Sequence, residues 1–296
     1  MWLVFTLISM VMWALVNVID SLIVRNYEKN PFVLMWCQSF FSIFILILFP
    51  LLTDIHTTPW MYPLLLVGCI SFIGDLWFFR IINVIDISVT NAAWAILSLL
   101  LSVVGFLLFQ ESWTALQSLG AILIIAGAFM LSFFNHSGNL RRTVLYLTSL
   151  ALLYLPFYVV EKAALESGLT VTNVFFWILL ARELLAFSIP LSIPSIRSKC
   201  FLALRSRWSF SLFNAAAITC FFLAEFLGAW AYSTGYLSLV SIVSNMKPVV
   251  VISLAWLLTR FSPNFAPREL LTAQSVHIKL LSFSILFVGL ALLVVE

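Results

Sequence analysis

Residues 61–82 read MYPLLLVGCISFIGDLWFFRII, a mainly apolar run that carries one acid, Asp75, within it. A helix that crosses the hydrocarbon core of a bilayer, about 30 Å thick, needs about 20 mostly apolar residues at a rise of 1.5 Å per residue. The stretch is long enough to span, and an acid at that depth is costly to bury. It therefore predicts a membrane helix and marks Asp75 as a residue of the bundle interior.

The rest of the chain repeats this pattern. Of the 296 residues, 63% are apolar and 9% are charged, whereas a soluble domain has roughly a quarter of its residues charged. The sequence therefore predicts an all-α integral membrane protein with about ten transmembrane helices. The apolar segments cover residues 2–24, 31–52, 61–82, 88–109, 113–134, 143–163, 171–194, 208–231, 237–259 and 278–295.

Basic residues are concentrated in alternate loops. The face that holds loops two, four, six and eight has Lys162 alone, while Arg182 and Lys247 lie within helices. Because cytoplasmic loops are enriched in Lys and Arg, the odd-numbered loops are predicted to be cytoplasmic and both termini to face the other side. A net charge of +3 placed in this way does not indicate a nucleic-acid partner. The odd-numbered loops hold Arg25, Lys29, Arg80, Arg141, Arg142, Arg197, Lys199, Arg205, Arg207, Arg260, Arg268 and Lys279.

The two halves of the chain show a faint internal repeat. A shift of 150 residues places the intramembrane acid Asp75 on a second one, Glu225. Shifts of 141 and 162 residues relate the flanking segments, and the sequence thus predicts two units, residues 1–137 and 143–296. Since each unit has five helices, an odd number, the second must enter the membrane in the opposite sense. Further equivalent pairs are Ser88 and Ser238, Asp20 and Glu161, Trp36 and Trp177, and Gly127 and Gly289.

The segment Asn83 to Leu131 resembles the last two helices of an EamA repeat, from the drug/metabolite transporter superfamily. Gln110-Glu111 closes the first of these helices, and the second carries Gly120 and Gly127 seven residues apart. The opening Trp13-Ala14-Leu15-Val16-Asn17 looks like the start of such a repeat. In the other half, Asn245-Met246-Lys247-Pro248 supplies the mid-helix proline expected in helix nine.

This resemblance implies two EamA-like five-helix repeats with a central cavity between them, which moves a small organic solute by alternating access. The chain departs from the pattern in having Ser98 where Pro248 sits in the other half, and Thr259-Arg260-Phe261 where Gln110-Glu111 would correspond. Members of the family more commonly keep their termini in the cytoplasm. The charge distribution of this chain favours the opposite orientation, which we follow.

Several ionisable residues lie inside the predicted helices, where a charge costs roughly 2.5–3.5 kcal/mol on insertion scales. Asp20 and Glu161 lie nearer helix ends, where interfacial water is within reach. The others either pair with one another or, because acids outnumber bases, leave one acid free to take up a proton or to meet a cationic substrate. Those close to helix midpoints are Asp75, Arg182, Glu183, Glu225 and Lys247.

Lys247 precedes Pro248, which removes a backbone hydrogen bond and tends to kink a helix. Transporters tolerate such kinks where the freed groups line a cavity. Lys247 can hold a carboxylate or phosphate there, or it can form a buried salt bridge. Weaker candidates for an aromatic and amide lining are Trp13, Asn17, Asn91, Trp94 and Asn245.

The leading hypothesis is a secondary transporter that moves a small polar metabolite, with proton-coupled export as one mechanism. A membrane enzyme would need a nucleophile or metal cluster at one depth, and the sequence contains no convincing one; we expect no catalytic residue, metal or cofactor. His56, His136 and His277 fall in predicted loops far apart. A lipid flippase or a non-transporting interaction protein remains the alternative. We expect a multi-pass protein of a bacterial or archaeal plasma membrane.

Overall fold

The computed structural model describes five stretches of the chain, and every regular element in them is an α-helix. The predicted all-α class is therefore confirmed. Arg207, Arg268 and His136 lie outside the described residues. The described stretches are residues 1–85, 87–133, 139–206, 208–261 and 273–294.

The described helices follow the predicted segments closely. They are α1 (Trp2–Asn26), α2 (Pro31–Leu52), α3 (Met61–Ile82), α4 (Ile87–Thr90), α5 (Ala92–Leu108), α6 (Ala115–Phe133), α7 (Leu140–Glu166), α8 (Val171–Ser192), α9 (Pro194–Ser206), α10 (Trp208–Thr234), α11 (Leu237–Ser244), α12 (Lys247–Phe261) and α13 (Ala273–Val294).

Within the described residues, seven helical stretches are long and apolar enough to cross a membrane: α1, α2, α3, α7, α8, α10 and the stretch Leu237–Leu254 in α11 and α12. Shorter apolar helices, α5, α6 and α13, coincide with the other three predicted segments. The chain is thus a multi-pass integral membrane protein.

The polar links set where several spans begin. The side chain of Asn30 accepts a hydrogen bond from the Phe32 N–H at 3.0 Å, and Pro31 occupies the first position of α2. At the start of α8, the Thr170 hydroxyl accepts from the Asn173 N–H at 3.4 Å. Such caps satisfy N–H groups that have no partner within the helix, so they define its first turn.

Two predicted spans are each divided into two helices. The segment predicted over 88–109 divides at Asn91 into α4 and α5, and the segment predicted over 237–259 divides between α11 and α12. The second break falls at Asn245 and Met246, just before the expected kink residue Pro248. Pro248 is the second residue of α12, where its missing N–H costs no helical hydrogen bond.

Two further boundaries differ from the sequence prediction. Helix α9 lies in loop seven, where only a link was expected, because its basic residues dilute the apolar periodicity on which a helix prediction depends. Helix α13 begins at Ala273 instead of residue 278. The assignment of His277 to a loop was therefore wrong, since this residue falls within α13.

The helices pack across the two halves of the chain. Helix α1 packs against α10, and α3 packs against α7 and α8. The broken spans meet where α5 packs against α11, and α6 packs against α13. A Cβ on Gly120 of α6 would lie 2.6 Å from the backbone oxygen of Gly289 in α13. Only residues without a side chain permit this approach, as predicted for small residues between membrane helices.

The link between α10 and α11 is held by charged side chains at both helix ends. Lys162 of α7 donates to the carbonyl oxygens of Tyr232 and Gly235, both at 2.9 Å, where α10 ends. The buried carboxylate of Glu111 accepts from the N–H groups of Leu237 at 2.5 Å and Ser238 at 3.1 Å, where α11 begins. A cation at a helix C-terminus and an anion at an N-terminus both oppose the local partial charge.

Glu111→Gln should destabilise the protein, because the neutral amide replaces one acceptor oxygen with a donor that faces N–H groups. Loss of a hydrogen bond to a charged group costs about 1.5–3 kcal/mol. We expect a melting temperature several degrees lower in detergent, measured by intrinsic fluorescence. Glu166→Gln is the matched control, since Glu166 is exposed and pairs only with Lys162 four residues earlier. Equal melting temperatures for the two variants would contradict the capping role.

Candidate functional site

Arg182 of α8 is the centre of a buried ion cluster. Its Nε donates to Asp75 Oδ2 of α3 at 2.5 Å, and its Nη1 pairs with the neighbouring Glu183. The Tyr154 hydroxyl of α7 donates to the second oxygen of Asp75. The guanidinium carbon also lies 4.3 Å from the ring centre of Phe221. Four helices, α3, α7, α8 and α10, thus meet at this cluster, in which the buried charges neutralise one another.

A cavity adjoins this cluster, and we call it the Arg182 cavity. The space in it open to the centre of a water molecule is about 30 Å³, and its lining combines charged, amide and aromatic groups. Asp20 faces it from α1 and accepts a hydrogen bond from Gln38 Nε2 at 2.7 Å. The polar and aromatic residues that line it are Trp13, Asn17, Asp20, Gln38, Asp75, Phe78, Phe79, Trp94, Tyr154, Arg182 and Phe221.

Lys247, the first residue of α12, lies between two indole rings. Its Nζ is 5.1 Å from the ring centre of Trp13 and 4.7 Å from that of Trp94. Both distances fall within the range of a cation–π interaction, which is stronger when the cation is removed from water. Lys247 forms no hydrogen bond or ion pair with any residue that the structure describes. The aromatic faces thus contact the ammonium directly, and Glu225 is the acid that shares its cavity.

A second cavity, the Lys247 cavity, lies on the side of Glu225. It is narrow, since the space open to the centre of a water molecule is about 40 Å³. The carboxylate of Glu225 also lacks a hydrogen bond or ion pair within the described part of the chain. Small hydroxyl groups surround the two charged residues. The lining is Thr6, Ser9, Trp13, Trp94, Leu97, Ser98, Leu101, Tyr158, Glu225, Gly228, Tyr232, Val240, Ser241, Ser244 and Lys247.

An aromatic layer separates the two cavities, and we define it as Trp13, Trp94, Tyr154 and Phe221. The edge of Trp13 meets Phe221 with ring centres 5.5 Å apart, and Trp94 meets Tyr154 at 5.2 Å. Trp13 and Trp94 line both cavities. The layer thus contacts Lys247 on one side and the ion cluster of Arg182 on the other.

The sequence predicts that the four charged residues near helix midpoints converge on one central cavity, but the structure divides them between these two cavities. Asp75 and Arg182 line the first, and Glu225 and Lys247 line the second. The sequence alone does not determine which acid neutralises Arg182. The structure gives this role to Asp75 and Glu183.

Asparagines mark both helix breaks. Asn17 of α1 donates from Nδ2 to Asn91 Oδ1 at 3.0 Å, where α4 meets α5. At the other break, Asn245 Nδ2 donates to Ser98 Oγ at 2.9 Å, and Ser98 donates to the Ser241 carbonyl at 2.9 Å. These bonds connect α5 to α11 across the interface. Ser98 thus supplies a hydroxyl between the broken spans.

The expectation that Asp20 and Glu161 reach interfacial water was wrong. Their exposed fractions are 4% and 3%. The helices around them extend further than predicted, since α1 continues to Asn26 and α7 to Glu166. Neighbouring helices therefore cover both acids. Glu161 Oε2 has no hydrogen-bond partner among the described residues.

Sequence reasoning missed several groups of the site. Gln38 was detectable, because it is a polar residue within the apolar helix α2. Tyr154, Tyr158 and Tyr232 gave no such signal in a chain that is 16% aromatic. Their hydroxyl groups acquire a role only where folding brings them to an acid. No group of three or more His, Cys, Asp or Glu side chains suited to a metal ion occurs among the described residues.

An apolar helical bundle that encloses charged cavities defines a membrane protein with an internal polar site. Residues 1–133 match the model of the EamA-like transporter family. The match confirms the predicted EamA resemblance, and the family that it indicates consists of membrane transporters of the drug/metabolite type. Members of this family are transporters and not enzymes.

The fold has a solved counterpart. A protein described only as "Crystal structure of protein" superposes with a TM-score of 0.66, over 98% of this chain and 95% of its own. Their sequences are 15% identical, so the likeness concerns the fold alone. No curated protein matches the chain in sequence.

Arg182→Gln should lower the free energy of unfolding by about 3–5 kcal/mol, because it leaves Asp75 and Glu183 without their cation. Adding Asp75→Asn should recover part of this loss, since one of the uncompensated charges is then removed. Melting temperatures of both single variants and the double variant measure the coupling. Arg142→Gln, at an exposed position of α7, is the control for loss of a guanidinium. If the effects of Arg182→Gln and Asp75→Asn on the free energy of unfolding were additive, the ion pair between Arg182 and Asp75 would be contradicted.

Proposed function

We propose that the chain is a secondary transporter that moves a small polar metabolite by alternating access. The observation that carries this proposal is the pair of adjoining charged cavities at the interface of the two halves. In the Arg182 cavity, Asp75 comes from the first half and Arg182 from the second. In the Lys247 cavity, the second half supplies both charges, Glu225 and Lys247, and the first half supplies aromatic and hydroxyl groups. A solute between two such halves changes sides when they move relative to each other.

The helix packing supports two inverted five-helix repeats. If α1, α2, α3, the α4–α5 span and α6 correspond to α7, α8, α10, the α11–α12 span and α13, the packed pairs exchange with one another. The contact of α1 with α10 corresponds to that of α7 with α3, and the contact of α3 with α8 to that of α10 with α2. The contacts of α2 with α8, α5 with α11, and α6 with α13 correspond to themselves. A two-fold axis in the membrane plane accounts for this pattern.

Close contacts between α6 and α13 support the same relation at single residues. The shift of 162 residues carries Gly127 onto Gly289 and Gly120 onto Ser282. The contact of Gly120 with Gly289 then has its counterpart in a contact of Ser282 with Gly127. A Cβ on Gly127 would indeed lie 3.3 Å from the Ser282 carbonyl oxygen. Ten spans in two inverted units are thus the arrangement we propose.

The Lys247 cavity is the proposed substrate site. Lys247 and Glu225 are not neutralised by ion pairs within the described residues, and each has an aromatic or hydroxyl environment. A polar metabolite can use the ammonium for a carboxylate or phosphate and the serine hydroxyls for hydrogen bonds. The Arg182 cluster, by contrast, is already bonded internally, and we assign it to holding α3, α7 and α8 together.

Glu225 is the proposed coupling acid for proton-coupled export. Asp75, its counterpart in the repeat, is bonded to Arg182 and Tyr154 and is therefore assigned to the ion cluster. Glu225 can gain or lose a proton without breaking a hydrogen bond or ion pair to the described residues. A proton-coupled carrier needs an acid of this kind.

Identifying a solute comes first. Candidate metabolites are screened for thermal stabilisation of the purified protein, because a ligand at a hundred times its dissociation constant stabilises by about 2.7 kcal/mol. Solutes that stabilise are then tested for flux into proteoliposomes. Binding without flux would contradict transport and favour an interaction protein. Movement of labelled lipid, without solute flux, would favour a flippase.

Glu225→Gln should lose flux driven by a pH gradient, because the amide keeps the size of the side chain but cannot carry the proton. Solute exchange at equal pH on both sides should remain, since it needs no net proton movement. The measurement is uptake of the stabilising solute into proteoliposomes, with Glu166→Gln as the matched control. Gradient-driven flux at the wild-type rate in a well-folded Glu225→Gln protein would contradict the coupling role.

Both termini should face away from the cytoplasm of the bacterial or archaeal cell proposed as host, because the odd-numbered loops carry most of the basic residues. Lys162, the basic residue on the opposite face, binds carbonyl groups of α10 and is thus accounted for structurally. Reporter fusions after Glu296 and within α9 near Lys199 should give opposite signals. A cytoplasmic signal from the fusion after Glu296 would overturn this orientation.

A further inference from the structure

Helix α9 has one face on the bundle and one face exposed. Ile196, Cys200, Ala203 and Leu204 recur at helical spacing, and Cys200 is fully buried. Burial raises the pKa of the Cys200 thiol to about 11, so it remains a neutral packing group near pH 7. This contact fixes the orientation of α9 on the protein, and its opposite face therefore points outward in a defined direction.

The outward face combines cations with large apolar side chains. Arg197, Phe201 and Arg205 lie four residues apart and form one row along the exposed side of the helix. Leu202 is 67% exposed, and Trp208 at the start of α10 is 83% exposed. An exposed tryptophan beside basic residues is typical of the boundary between headgroups and acyl chains.

The cations of this face have no internal partner. Arg197, Lys199 and Arg205 form no ion pair with any residue in the described stretches. The nearby acid is Glu28, which shares an open cavity with Lys199 and Leu202 and accepts from the backbone N–H groups of Lys29 and Asn30 at 2.9 Å. The positive charge of the face therefore exceeds the negative charge beside it.

We propose that the outward face of α9, defined as Arg197, Lys199, Phe201, Leu202, Arg205 and Trp208, is a binding site for anionic phospholipid headgroups. The arginines and the lysine bind the phosphate, while Phe201, Leu202 and Trp208 enter the boundary with the acyl chains. Charge complementarity selects this occupant, because a neutral lipid would leave the cations uncompensated. The inference concerns the lipid contacts of the protein and is independent of the transported solute.

The cavity beside the face has room for part of a headgroup. Its empty volume is about 1000 Å³, and Asn26, Tyr27, Glu28, Lys199, Leu202, Ala203 and Phe210 line it. Lys199 lies at the meeting point of the cavity and the exposed face. A lipid bound there contacts both α9 and the link between α1 and α2.

The test compares binding of phosphatidylglycerol to the detergent-purified protein with binding to Arg197→Gln/Arg205→Gln, by native mass spectrometry. Each basic residue near an anionic surface contributes about 1 kcal/mol, and every 1.4 kcal/mol is tenfold in affinity, so the double variant should bind at least about tenfold more weakly. Phosphatidylcholine should bind weakly and equally to both proteins. Inorganic phosphate should not displace the lipid, because it lacks the acyl chains.

Two further variants test whether the lipid binds at α9 and whether charge is what it needs there. Arg80→Gln/Arg141→Gln removes two exposed arginines from other odd-numbered loops and should bind phosphatidylglycerol like the wild type. Arg197→Lys/Arg205→Lys retains both charges and should restore most of the binding. Equal loss in the Arg80→Gln/Arg141→Gln control, or unchanged binding in Arg197→Gln/Arg205→Gln, would overturn the assignment of the site to α9. Full displacement by inorganic phosphate would overturn the lipid as its ligand.

Discussion

The cost of placing charge inside a bilayer governs this structure. Arg182 cannot face lipid. It lies where Asp75 and Glu183 pair with its guanidinium group and the ring of Phe221 covers one face of that group. This single requirement brings α3, α8 and α10 together, and Tyr154 adds α7 through its bond to Asp75. The polar interior and the contacts between the two halves follow from the same constraint.

The two charged sites differ in how many ion pairs and hydrogen bonds their cations form with described residues. Arg182 has two carboxylates as partners, whereas Lys247 is held by the faces of Trp13 and Trp94. A fully bonded cluster favours one arrangement of the helices, and a partly bonded one leaves groups that a solute can use. The aromatic layer lies between them. Lys247 contacts Trp13, Trp13 contacts Phe221, and Phe221 contacts Arg182, so a chain of rings connects the two charged sites.

Much of the fold could be predicted from the sequence, because hydrophobic length is a strong signal for a membrane span. The charged residues of the interior were also detectable, since an ionisable residue in an apolar run is rare. Their partners were not. Whether Arg182 meets Asp75 or Glu225 depends on the rotation of each helix about its axis. A helix that is apolar on all sides carries no sequence signal for that rotation. The break at Asn245 lies beside the kink that the sequence predicts at Pro248. The helix in loop seven was missed because basic residues on its exposed face weaken the apolar periodicity.

The most direct test of the account asks whether water and solute reach the Lys247 cavity. Ser244 lines this cavity, whereas Ser253 is exposed on the outer surface of α12. In a protein whose native cysteines Cys37, Cys69, Cys200 and Cys220 are replaced by serine, Ser244→Cys and Ser253→Cys are treated with a membrane-impermeant thiol reagent. The account predicts that Ser244→Cys reacts in proteoliposomes and is protected by the stabilising solute, while Ser253→Cys, facing lipid, stays unreactive. An unreactive Ser244→Cys, or one that the solute does not protect, would contradict a solute pathway through this cavity.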